Sequence, residues 1–154
     1  MILNTGYEAI ISGIGGACVA QVLKVLGYFL THKKFNFKIL TTTGGMPSSH
    51  SAGVLGLTTS VGIIQGFDSM LFAISLGYAI ITMYDAAGIR RAAGKTAATL
   101  NRFIKEIQEN NQKIEPYETL KELLGHTPKE VFCGGVLGIV FAYFIHSLLA
   151  LLLV

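Results

Sequence analysis

Charge is what this sequence has least of. Only 14% of its 154 residues are Asp, Glu, Lys or Arg, where a soluble domain carries about a quarter. The shortage is also uneven. No charged side chain lies between Ser51 and Phe67, or between Val131 and Val154. Runs of that kind exclude an ordinary soluble domain and indicate an integral membrane protein. Cysteine is scarce as well. Cys18 and Cys133 each fall in an apolar segment, with neither a disulfide framework nor metal-ligand spacing, and read as small membrane-buried hydrophobes. The opening MILNTGYEA lacks a basic n-region, so a cleaved signal peptide is not expected. No internal repeat, low-complexity tract or second domain is visible. The net charge of +3 is mild and arises in the loops. It points to an anionic membrane surface or an anionic substrate before nucleic acid.

What is present is concentrated in one octapeptide, GGMPSSHS at Gly44–Ser51. Gly44 and Gly45 allow backbone geometry closed to other residues. Pro47 suits a first helical turn. Ser48 and Ser49 can cap the helix that follows, which places His50 in its first turn. A helix start with free N–H groups, two hydroxyls and an imidazole suits phosphate. A plain capped loop entering a membrane helix would use the same residues.

The rest of the chain is arranged around that loop. Tyr7–Leu30 is long enough to span a bilayer, with Ser12, Gly16 and Ala20 as a small-residue stripe. Lys24 lies near its end, either snorkelling to the interface or turned inward toward an anion. His32–Thr43 is a polar loop. Ser51–Gln65 is a short apolar helix with Ala52, Gly56 and Ser60 as its stripe. A tight turn at Gly66–Asp68 leads into Ser69–Tyr84, whose small face is Ala73 and Gly77. Asp85–Glu130 is the one extended polar region. In it, Ala93–Asn110 reads as an amphipathic helix with Ala97, Leu100, Ile104 and Ile107 on one face. Arg102 with Glu106 and Lys105 with Glu109 form i,i+4 pairs on the other. Pro116 begins a second short helix that Gly125 stops. This hairpin is either a solvated connector or a lid or dimer contact. The last helix begins at Thr127-Pro128 and carries Gly134, Gly138 and Ala142, with His146 near its far end as a packing or interface residue.

The expected fold is therefore all-α: a four-span membrane bundle over residues 1–154, with 86–126 as a helical insertion between spans 3 and 4. Eleven of the twelve Lys and Arg lie in the two polar loops. The positive-inside rule places both loops in the cytoplasm and both termini outside. A homo-oligomer through the small-residue stripes or the hairpin is compatible with this layout.

A second histidine motif, GHTPKEV, spans Gly125–Val131. His126 and Glu130 are four apart at a helix start, so they share a face, and a carboxylate there fixes the imidazole tautomer. Two helix starts at one membrane face thus each present a histidine, and Arg90 and Arg91 end a helix at that same face. Asp85 can pair with the arginines by spacing. Two histidines and an arginine pair can accept phosphate, attack it and protonate a leaving oxygen. No nucleotide-binding or metal-binding motif accompanies them, so no cofactor is expected.

The order of these motifs resembles the type 2 phosphatidic acid phosphatase and vanadium haloperoxidase superfamily. PSSH at 47–50 is similar to that family's PSGH, which also begins a membrane helix. GHTPKEVFCGGVLG at 125–138 is similar to its segment of a His, an acid four later and small residues in a helix. YDAAGIRR stands where the family has a helix ending in Ser-Arg. The resemblance covers about Thr41–Ala142. It implies metal-independent hydrolysis of a membrane lipid phosphate. His126 would be the nucleophile, Glu130 its orienting carboxylate and His50 the general acid. Ser48, Ser49, Arg90 or Arg91, and Lys24 would hold the phosphoryl oxygens.

The departures are concrete. The family's Lys-x6-Arg-Pro motif is missing, Glu130 replaces its Asp, and the whole hairpin separates the arginines from His126. A non-catalytic protein that binds a phospholipid or phosphate at a degenerate site is the rival reading.

Overall fold

The computed structural model describes residues 2–33, 44–109, 118–122 and 125–153. Among these every regular element is helical: α1 Gly6–His32, α2 Ser49–Gln65, α3 Met70–Tyr84, α4 Arg90–Glu109 and α5 Pro128–Leu153. A π-helical turn, Asp85–Ile89, joins α3 to α4 in one 40-residue rod, Met70–Glu109.

Three of these stretches, not the four expected, are long and apolar enough to cross a bilayer: α1, the α3–α4 rod and α5. The difference is α2. Its 17 residues reach about 25 Å, short of the roughly 30 Å hydrocarbon core. Instead α2 is the centre, packed against α1, α3 and α5. A central helix surrounded by others need not meet lipid along its length, so it can be short and rich in Gly, Ser and Thr.

Close backbone contact holds this centre together. Ser12, Gly16 and Ala20 of α1 are buried, as are Ala52, Gly56 and Ser60 of α2 and Gly134, Gly138 and Ala142 of α5. A Cβ on Gly16 would sit 3.1 Å from the Ala52 carbonyl oxygen, one on Gly56 would sit 2.7 Å from that of Ser12, and one on Gly138 would overlap that of Ala52. Small residues permit this approach, and the gain is dispersion between backbones. The three stripes are spent within one chain, so none of them is open to a second copy.

The stripe expected on α3 is out of phase. Ala73 is exposed and Gly77 has open space around it. The face toward α2 carries Ala79, fully buried, and Ser75, whose carbonyl accepts the Thr58 hydroxyl at 3.1 Å. Ser75 and Ala79 are also small and four apart, so spacing alone does not choose between the two pairs.

The ends of the bundle are distinct. At one end Glu8, fully buried on α1, accepts from the Asn4 amide at 2.8 Å and lies 2.7 Å from His146 Nδ1 of α5. His146 is thus a packing residue between α1 and α5. The opposite end gathers the α1 C-terminus, the α2 start, the π turn and the α5 start.

The hairpin differs in part from expectation. The buried residues of α4 are Gly94, Ala97 and Asn101, whereas Leu100 is 46% exposed. Of the two expected ion pairs, Lys105–Glu109 forms at 3.9 Å among the described residues. Residues 118–122 are not helical; Pro116 lies outside the described residues. Asn101 holds this return segment, bonding the Leu120 carbonyl at 2.9 Å, the Leu120 amide at 3.1 Å and Glu122 Oε1 at 2.8 Å.

Candidate active site

The α2 start is built by Ser48. It is the N-cap, outside the helix and fully buried, and its Oγ accepts from the Ser51 amide at 3.3 Å and the Ser51 hydroxyl at 3.1 Å. Pro47 precedes the cap and so lies outside the first turn. The Ser48 amide donates to the Glu130 carbonyl at 3.0 Å, and no Cβ fits at Gly134, which would strike the Ser48 backbone. The starts of α2 and α5 are therefore clasped together. His50 follows as the second helical residue.

The α5 start is a reciprocal capping box. Thr127 Oγ1 accepts from the Glu130 amide at 3.3 Å, and Glu130 Oε2 accepts from the Thr127 amide at 3.2 Å. The same Oε2 lies 3.1 Å from His126 Nδ1. One cap thus fixes the carboxylate that fixes the imidazole. The His126 amide donates to the Ala86 carbonyl of the π turn at 2.8 Å. Gly125, at φ +82°, lies against the Arg90–Arg91 backbone, where a Cβ has no room. The π turn and the α5 start are locked to each other by these contacts, and π turns are frequent at functional positions.

The two histidines meet. Their ring centroids are 5.6 Å apart and the ring planes cross at 67°. His126 is 1% exposed. Its Nε2, the Nδ1 of His50 and the Nζ of Lys24 are all buried without a hydrogen-bond partner among the described residues. Buried polar atoms are normally satisfied, and these three groups lie within electrostatic reach of one another, a set of partners that suits a polar ligand. Lys24, open between two placements in the sequence, is buried and lies close enough to act electrostatically on Glu130 and both histidines. Burial pushes the His126 imidazole below its ordinary value of 6.5, while the Glu130 hydrogen bond and charge and the Gly45 carbonyl work against that and Lys24 adds to it. A lowered value means that the neutral ring persists to lower pH. With Nδ1–H directed at Glu130, the lone pair of the neutral ring sits on Nε2, whereas the Gly45 carbonyl favours the charged ring, in which Nε2 also carries a proton.

The arginine pair divides. Arg90 Nε bonds Asp85 Oδ2 at 2.6 Å, with the two side chains 47% and 34% exposed, and both charges bear on His50. Arg91 instead lines a cleft of about 380 Å³ with Gly44, Gly45, His126 and Glu130. Ser49 lies beside His50 on the other side of the histidine pair, in a groove toward α1 and α3. Every expected site residue thus lies at the same end of the bundle. Among the described residues, no three His, Cys, Asp or Glu side chains converge as a metal ion requires.

A family model described as the divergent PAP2 family matches residues 6–141. The chain belongs to that family. It is also 45% identical over 157 residues to the uncharacterized membrane protein YuiD of Bacillus subtilis (strain 168), covering 94% of this chain and 99% of the relative. No solved structure matches. In this divergent PAP2 protein the paired histidines stand at two clasped helix starts, with a buried lysine from α1 beside them. Sequence reasoning missed Thr127, whose T-x-x-E spacing before an apolar run is a legible capping box. It missed Gly125 as a contact for α4, and it missed Lys95, a second cation lining the cleft one turn from Arg91. No sequence signal marks the last two.

Proposed function

We propose that this protein is a metal-independent lipid-phosphate phosphatase that works through a phosphohistidine. The observation that carries the reading is the facing histidine pair. His126 has its Nδ1 on Glu130 and a buried, unpartnered Nε2, and His50 stands 5.6 Å away between ring centroids. His126 Nε2 attacks phosphorus, forming a P–N bond as the P–O bond to the lipid alcohol breaks. His50 delivers a proton to the departing oxygen. His50 then takes a proton from water as its oxygen attacks phosphorus, which releases phosphate and restores His126.

Lys24, Arg91 and Arg90, the last steadied by Asp85, neutralise the phosphoryl oxygens, together with the α2 N-terminal amides and the hydroxyls of Ser48 and Ser49. The Ser48 hydroxyl already accepts two bonds, but its own proton remains free to donate. The positive-inside rule expects the basic loops in the cytoplasm, and with that orientation the substrate is a lipid phosphate present on that leaflet, such as phosphatidylglycerophosphate or a prenyl phosphate.

Phosphate release by the purified protein from a panel of lipid phosphates tests the reading. Turnover is expected with EDTA present, vanadate is expected to inhibit by occupying the trigonal-bipyramidal site, and His126→Ala is expected to be inactive on every substrate. Turnover abolished by EDTA and indifferent to vanadate would overturn the mechanism. A folded protein that binds lipid phosphate and turns over none would establish the non-catalytic alternative.

A further inference from the structure

The two sides of the histidine pair are chemically different. On the His126 side lies the cleft of Arg91, Lys95 and Glu130. On the His50 side lies a separate groove of about 660 Å³ between α1 and α3, floored by α2. Its floor is Ser49, His50, Gly53, Val54 and Leu57, and its walls are apolar residues of α1 such as Ile10, Ile14 and Ala17, facing Tyr78 and Thr82 of α3. His50 lines the groove and not the cleft, and His126 lines the cleft and not the groove. Both walls belong to helices long and apolar enough to span the bilayer, so the groove is at hydrocarbon depth over most of its length. It runs about 16 Å along α1 from Gln21 to Ile10.

We propose that this groove holds the hydrocarbon chain of the leaving alcohol, and that the divided site favours long-chain phosphate esters over water-soluble ones. The inference rests on the proposed phosphatase reading and adds a direction to it. In-line displacement puts the nucleophile and the leaving oxygen on opposite sides of phosphorus. His126 approaches from the basic cleft, so the leaving oxygen points at His50. The chain attached to that oxygen then enters the space that His50 borders, which is the apolar groove. The occupant is a substrate tail rather than a partner helix because the groove is continuous with the reacting position at Ser49 and His50. A water-soluble phosphate ester reaches the same histidines but leaves the groove unfilled and loses its contribution to binding.

Val54 lies one helical turn from His50 on the groove floor, and Cys18 is exposed on its α1 wall. In nanodiscs, Val54→Phe and Cys18→Phe are compared with the native chain on dodecyl phosphate and on 4-nitrophenyl phosphate. For dodecyl phosphate, kcat/KM is expected to fall roughly tenfold more than for the aryl ester, the effect of excluding about two methylenes from an apolar site. Equal falls on both substrates would overturn the groove assignment and leave the phosphatase reading standing.

A second arm needs no turnover. Dodecyl phosphate with a diazirine at its chain end is photolysed with His126→Ala protein, with and without excess unlabelled dodecyl phosphate. Adducts at Ile10, Ile14 or Leu57 that the unlabelled compound suppresses are expected. Suppressible adducts confined to α5 would overturn the proposal. If the native chain turns over neither substrate, the phosphatase reading fails, and this arm decides the groove by itself.

Discussion

Glu130 is the residue on which the site turns. Its side chain caps α5, orients His126 and counters the charge of Lys24, while its carbonyl binds the Ser48 amide across to α2. Both histidines depend on it, yet they fail differently when removed. On the proposed mechanism no covalent intermediate forms without His126. Without His50 the alkoxide would leave unprotonated, and general-acid help is typically worth about 10²–10⁴-fold. An aryl phosphate needs little protonation of its leaving group. Folded His50→Ala protein is therefore expected to keep measurable turnover of 4-nitrophenyl phosphate while losing most turnover of an alkyl phosphate, and His126→Ala should turn over neither. The opposite pattern in two folded variants would exchange the roles.

Helix α2 is the element that organises the molecule, and its composition shows how far the sequence could be read. The stripes on α1, α2 and α5 were legible because close backbone contact tolerates only small residues, which recur at i and i+4 on a helix. The same rule misplaced the α3 face, where Ala73 with Gly77 and Ser75 with Ala79 satisfy it equally. Serines and a histidine at GGMPSSHS marked the candidate site because capping chemistry is local. The π turn at DAAGI was not legible, since the partner of its Ala86 carbonyl is the His126 amide, distant in the chain. Nor was the central position of α2, which is a property of the bundle and not of the segment. Gly138→Ala tests the packing account at this scale. An added methyl would meet the Ala52 carbonyl, and overpacking of this kind costs about 1–3 kcal/mol. A clearly lower Tm in detergent is expected, and an unchanged Tm would mean that α2 and α5 can separate without loss.

The whole molecule is polarised. The buried Glu8 pair with His146 sits at one end, and Lys24, Arg90, Arg91, His50 and His126 sit at the other. Eleven of twelve basic residues belong to the loops of the histidine end, which is expected to face the cytoplasm. A cysteine at the exposed Gln108 position, in protein lacking Cys18 and Cys133, should react with an impermeant maleimide only after the membrane is opened. Labelling in sealed cells would place the site outside and exclude substrates confined to the inner leaflet. The central claim, a phosphoryl group carried by His126, has a more direct test. His50→Ala protein should accept phosphate from an aryl ester and release it slowly, because in the proposed mechanism His50 also activates the attacking water. The measurement is mass spectrometry of this variant, denatured at alkaline pH during turnover of 4-nitrophenyl phosphate. A phosphoryl group is expected on the peptide carrying His126 and absent from the His50→Ala, His126→Ala double variant. Sustained turnover with His126 unmodified, or a phosphoryl group on another residue, would contradict it.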